Sequence, residues 1–191
     1  MAELLFITHP EVVMDPGQPV ARWHLSSAGI ARARVFAESG VADGVSVVWA
    51  SAETKAIETA GIVAARLGLG VAVEPGLGEN DRSATGFLPP AEFERTADAF
   101  FARPEESVRG WERAVDAQAR VSAAVRRIVA GHEAGDLAVV AHGAVGALLL
   151  AALEGAAIGR QWDQPFQGHF WRARLPDLAA LHGWREIASR G

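Results

Sequence analysis

The chain has 191 residues, 50% of them hydrophobic and 21% charged, with a formal net charge of −5. That is a globular composition, long enough to bury a core without staples, and it excludes a disordered chain. The acidic balance gives no support for a nucleic-acid or anionic-membrane partner, and the absence of cysteine rules out disulfides, thiolate zinc sites and cysteine nucleophiles.

The opening MAELLFITHP has no basic segment followed by a long apolar one, so no signal peptide is expected. The longest apolar run, 144–153, is too short to span a bilayer. Together with the missing cysteines this fits a cytoplasmic protein.

Residues 4–7 and 137–141 form short continuous apolar runs, and 45–49 is a valine-rich run broken only by Ser46. Runs without alternation predict strands of a sheet covered on both faces. Between them lie helical patterns. Residues 26–39 open on a serine that can cap and end before Gly40. Residues 52–67 are alanine-rich and stop at Gly68. The stretch 75–109 carries much Gly and Pro punctuation and predicts a lid or cap with one helix over 90–101. Residues 111–132 place Trp111, Val115, Val121, Val125, Ile128 and Val129 largely on one helical face. Residues 143–153 are apolar almost all round, which predicts a buried helix. The C-terminal part, 169–187, reads ambiguously, with an edge strand near 170–175. Strands alternating with helices predict a mostly parallel sheet with helices on both sides, in one domain over 1–191.

The first strand ends in Thr8-His9-Pro10, the second in Ala50-Ser51, the third in His142-Gly143. Ligands of open parallel sheets bind outside the carboxyl ends of the strands. If the three strands are parallel neighbours, two histidines and a serine meet on one sheet edge. Each residue also has a plainer reading: a histidine closing a strand often makes only a local hydrogen bond, and Ser51 is most simply a helix cap. His24, His169 and His182 have no spacing that makes a metal site with His9 or His142.

Six segments carry a resemblance. LFITHPE at 5–11 looks like the strand-plus-Arg-His-Gly-Glu signature of the histidine phosphatase (phosphoglycerate mutase-like) superfamily. WHLSSAG at 23–29 resembles the family's entry to its first helix, and SAETKAIETA at 51–60 its S-x-x-x-R-A-x-Q-T-A segment. Leu77-Gly78-Glu79 matches the place of its acidic residue, PEES at 104–107 a following P-x-E-S, and VVAHG at 139–143 its second histidine motif. The resemblance implies a three-layer α/β/α sandwich and a phosphoric monoester hydrolase acting on a small phosphorylated substrate through a phosphohistidine. It makes His9 the nucleophile, His142 the group that stabilises the phosphoryl in transfer, and Glu79 the acid. Thr8, Lys55, Ser51, Arg22 and Gly143 would contact phosphate. No cofactor is implied, and nothing bears on the oligomeric state.

The departures from the family pattern concern charge. Thr8 stands where the family has an arginine, Pro10 replaces a glycine and offers no N–H, and Lys55 replaces a second arginine and loses its two-pronged grip. Arg22 and Arg82 are the candidates to make up the lost charge. Three readings remain open: a phosphatase, favoured over a mutase because the chain leaves little room for the mutases' longer inserts; a non-catalytic or weakly active binder of a phosphate ligand; and a purely structural domain.

Overall fold

The computed structural model describes residues 2–190; residues 1 and 191, the ends of the expected domain, lie outside it. The strands are β1 (Glu3–Thr8), β2 (Val45–Ala50), β3 (Val71–Val73), β4 (Asp136–Ala141), β5 (His169–Arg174) and β6 (Ala180–Glu186). The helices are α1 (Ser27–Glu38), α2 (Thr54–Leu67), α3 (Pro90–Ala102), α4 (Ala114–Ala130) and α5 (Gly143–Leu153). The sheet runs β3-β2-β4-β1-β5-β6, parallel through β1 and antiparallel at β5 and β6. The three apolar runs are thus parallel neighbours.

Alternate residues of the central strands feed two cores. Leu4, Phe6, Leu137 and Val139 join Val121 and Val125 of α4, Leu148 and Leu149 of α5, and Phe100 and Phe101 of α3. Leu5, Ile7, Ala138 and Val140 join Phe36 of α1 and Ala56, Ala60 and Val63 of α2. Each fully buried Val, Leu, Ile or Phe among them contributes about 1.5–3 kcal/mol of transfer free energy. The helices therefore hold the carboxyl ends of β1, β2 and β4 rigidly from both faces.

Local rules set the helix ends. Ser26 Oγ accepts from the N–H of Gly29, 3.1 Å away, capping α1. Gly29 itself is required by a close approach: a Cβ there would lie 2.2 Å from the Glu11 carbonyl oxygen. Gly68, at φ +68°, closes α2 as expected. The helix expected from 111 begins at Ala114, because Arg109 and Gly110 adopt left-handed backbone and Trp111 ends a 3-10 turn in the core. The strand near 170–175 is β5, and it is not an edge. β6 covers it, with the alternating exposure of an edge strand.

Candidate active site

The ends of β1, β2 and β4 are laced together by the backbone. The N–H of His9 donates to Ala141 O at 3.2 Å and that of Ser51 to Val140 O at 3.0 Å. The His9 and His142 rings then face each other edge to face, their centroids 5.2 Å apart.

His9 Nδ1 lies 2.9 Å from the carbonyl oxygen of Pro10. A carbonyl only accepts, so Nδ1 carries the proton and Nε2 keeps its lone pair. Pro10 lacks the N–H of the family's glycine but supplies the same carbonyl. Burial first, and the Lys55 charge second, lower the His9 pKa to about 4, so the ring is neutral at pH 7.

His142 is fully buried, and burial holds it well below the usual imidazole range. It therefore adds no positive charge at pH 7. Its Nε2 is 2.7 Å from Ser51 Oγ and 3.4 Å from Glu53 Oε1, while Nδ1 has no partner among the described residues. Ser51 thus holds a histidine as well as accepting the Glu53 N–H at 3.3 Å.

Lys55 is buried, with its ammonium donating to Glu53 Oε2 at 2.5 Å and to Val20 O at 2.9 Å. Burial opposes a charge on Glu53, but the Lys55 ammonium and the N–H of Glu79 stabilise it and hold the carboxyl below the usual carboxylate range. The cation that was expected to grip phosphate is therefore neutralised by an internal carboxylate two residues away.

Glu79 lies at the N-terminus of α5. Its Oε1 accepts from Asn80 N and Val145 N, both at 3.1 Å, and its Oε2 from Ala144 N at 3.3 Å. Two of these three N–H groups belong to the first turn of α5. Asn80 beside it is buried, and its Nδ2 has no partner among the described residues.

Thr8 does not face the cavity. Its hydroxyl accepts the N–H of His169 at 2.9 Å and donates to Gln164 Oε1 at 2.6 Å. That fixes the Gln164 amide and leaves Nε2 as a free donor on the cavity wall, so close to Gly143 that a Cβ there would sit 2.5 Å away. Arg22 is exposed and outside the cavity, since the 3-10 turn Val20–Arg22 turns Val20 inward. Arg82 lines the cavity, stacked on Phe93 (5.1 Å to the ring centre) and Trp111 (5.6 Å).

The cavity measures about 530 Å³ and takes in His9, Lys55, Glu79, Arg82, Gly143 and Gln164. Asp163 also lines it. Burial, joined by the Glu79 charge and opposed by Arg160, raises its pKa to about 6.

Glu53, Asn80, Asp163 and Gln164 are additions to the residues singled out from sequence. Glu53 had a usable signal, because a lysine on the buried side of a helix needs an acid within reach. Asp163 and Gln164 lie in the loop after α5, with no motif to mark them.

The sequence model of the histidine phosphatase superfamily (branch 1) matches residues 6–170. The chain belongs to the histidine phosphatase superfamily. No curated protein matches it by sequence. Among solved structures, this superfamily member is similar to a mycobacterial glucosyl-3-phosphoglycerate phosphatase, at 22% identity over 97% of this chain and 96% of that one, TM-score 0.78. Bacillus stearothermophilus YhfR gives 21% identity, 100% and 99% coverage and a TM-score of 0.80. Phosphoserine phosphatase from Entamoeba histolytica gives 15%, 97% and 98%, and 0.75. The mycobacterial protein has been solved with inorganic phosphate and with VO3. These likenesses establish the shared fold. Among the described residues no helix is long and apolar enough to cross a membrane.

Proposed function

We propose that this histidine phosphatase relative is a phosphoric monoester hydrolase working through a phosphohistidine on His9. The observation that carries the reading is the Nδ1–Pro10 hydrogen bond, which leaves a neutral Nε2 with a lone pair beside His142 at the cavity. Nε2 attacks phosphorus, the phosphorus–oxygen bond breaks, and the leaving oxygen takes a proton from a carboxyl group. Water, giving a proton to the carboxylate left by the first step, then attacks phosphorus; the nitrogen–phosphorus bond breaks, releasing inorganic phosphate and regenerating both the ring and the carboxyl. Residues 75–109 serve as a cap over the site.

The phosphoryl oxygens are held by Arg82, the Gln164 amide, the first turn of α5 at Gly143 and the unpartnered Nδ1 of His142. Thr8 acts by orienting Gln164, and Lys55 and Ser51 act by fixing Glu53 and His142. Arg82 replaces the missing guanidinium: among the described residues it is the cavity cation with no carboxylate partner, whereas Arg160 pairs with Glu94, Asp98 and Asp163. A hydrogen bond to a charged group is worth about 1.5–3 kcal/mol. Arg82→Ala should therefore lower kcat/KM roughly 10- to 100-fold, while Arg22→Ala leaves it unchanged. Steady-state kinetics on an aryl phosphate checks this; the reverse order would return the role to Arg22.

Glu79 is the acid that the family resemblance implies. Asp163 is a second candidate on a specific observation, its carboxyl held near 6 inside the cavity. A carboxyl with that pKa is a competent donor between pH 5 and 6. The variant of the true donor, Glu79→Gln or Asp163→Asn, should slow alkyl phosphates much more than aryl phosphates, whose leaving groups need little protonation. Equal losses on both substrates in both variants would leave the proton to solvent.

His9 Nε2 takes a proton as pH falls through about 4, so kcat/KM should be lost below that value and retained through pH 5. Activity falling as pH drops through the ordinary imidazole value of 6.5 would contradict the buried neutral nucleophile; a fall as pH rises past about 6 would instead report Asp163 as the donor. A phosphate binder without turnover is the second reading, favoured by the Glu53–Lys55 neutralisation. It is established if the protein binds phosphate but hydrolyses nothing on a broad phosphoester panel.

A further inference from the structure

We propose that the substrate class is a phosphomonoester of a hydrophobic alcohol bearing no second charged group. This rests on the phosphatase reading and concerns the part of the cavity away from His9. A cavity of about 530 Å³ is far larger than one phosphoryl group. Much of its remaining wall is apolar, with Val12, Met14, Phe87, Leu88, Phe93 and Phe166 beside the polar Asn80, Glu94 and Gln167. Phe87 packs on Trp23 with ring centres 5.9 Å apart, giving a firm surface, and Met14 is left 60% exposed toward solvent.

The charges exclude the alternatives. A leaving group with a carboxylate or second phosphate needs a cation of its own. Lys55 is paired with Glu53, Arg160 with three carboxylates, and Arg82 is needed for the phosphoryl group. Such a group would instead meet Glu79 and Asp163. A cationic leaving group fares no better. The Glu79 oxygens are held by three backbone N–H groups and Asp163 is held by Arg160, while Arg82 covers faces of Phe93 and Trp111. Apart from the neutral amides of Asn80, Gln164 and Gln167, what remains uncovered on the wall is hydrocarbon.

A series of n-alkyl phosphates from ethyl to octyl isolates this, because lengthening the chain barely changes leaving-group basicity. Burying a methylene should raise kcat/KM roughly twofold to fourfold per added carbon until the wall is filled. Phe87→Ala should flatten the rise along the series; Met14→Ser, on an exposed side chain that the fold does not need, is the second variant and should flatten it too. 3-Phosphoglycerate and phosphocholine should fall below hexyl phosphate by on the order of tenfold. The matching alkylphosphonates, which cannot be hydrolysed, are titrated calorimetrically in parallel. Chain-length-dependent binding without turnover would overturn the phosphatase reading and keep the apolar subsite. Turnover with a flat series, or with 3-phosphoglycerate or phosphocholine above hexyl phosphate, would overturn the apolar subsite and keep the phosphatase.

Discussion

His9→Ala should reduce phosphomonoester hydrolysis by roughly 10⁴-fold or more, to background, in a protein that remains folded. The size of the effect follows from the role. Ser51, Glu53, Lys55 and His142 are tied to one another and do not hydrogen-bond His9, so nothing adjacent can take over its lone pair. The His9 backbone N–H still bonds Ala141 O, so the sheet edge keeps its geometry. Losing the ring removes one hydrogen bond to Pro10, a stability change of about 1 kcal/mol. Kinetics on an aryl phosphate together with a thermal melt separates loss of chemistry from loss of fold. A folded variant within tenfold of the parent rate would falsify the assignment.

Lys55→Met should instead act through stability. The Lys55 side chain is 3% exposed and that of Glu53 14%, so removing the ammonium leaves a buried carboxylate without its partner. Breaking such a pair costs about 3–5 kcal/mol, a drop in Tm on the order of 10 °C for a chain of this size. The double variant Glu53→Gln, Lys55→Met should recover much of it, because a neutral pair needs no compensation. The pH dependence carries the same signature. The Glu53 pKa is depressed from its ordinary 4.5 to about 2, so its contribution is fully present above 4.5 and is lost as pH falls toward 2. If Lys55 gripped substrate directly, Lys55→Met would raise KM and leave the melt unchanged.

The parallel sheet was legible because β1 and β4 are buried on both faces, which writes them as continuous apolar runs at 4–7 and 137–141; β2, exposed at Ser46 and Val47, still reads as a valine-rich strand over 45–49. The C-terminal strands were less so. β5 and β6 mix Trp, Arg and His, and β6 is half exposed, so neither periodicity nor hydropathy decides between strand and helix. His9, Ser51 and His142 were legible as a meeting point because topology alone brings strand ends together. The charge pattern was not. Whether Lys55 faces a ligand or Glu53 depends on side-chain packing across one helix turn. Likewise Thr8 bonds Gln164, 156 positions away, which no local motif announces. Arg22 and Arg82 looked equivalent as loop arginines, and only the tertiary fold turns one outward and stacks the other on Phe93 and Trp111.

The central claim is a phosphoryl group carried on His9 Nε2. The direct measurement is a rapid alkaline quench of the protein with a phosphorus-labelled aryl phosphate, followed by peptide mapping of the label. The account predicts an acid-labile, alkali-stable label on the peptide containing His9, formed before steady state and absent from His9→Ala. Turnover with no trapped label, or a label on the His142 peptide, would contradict it.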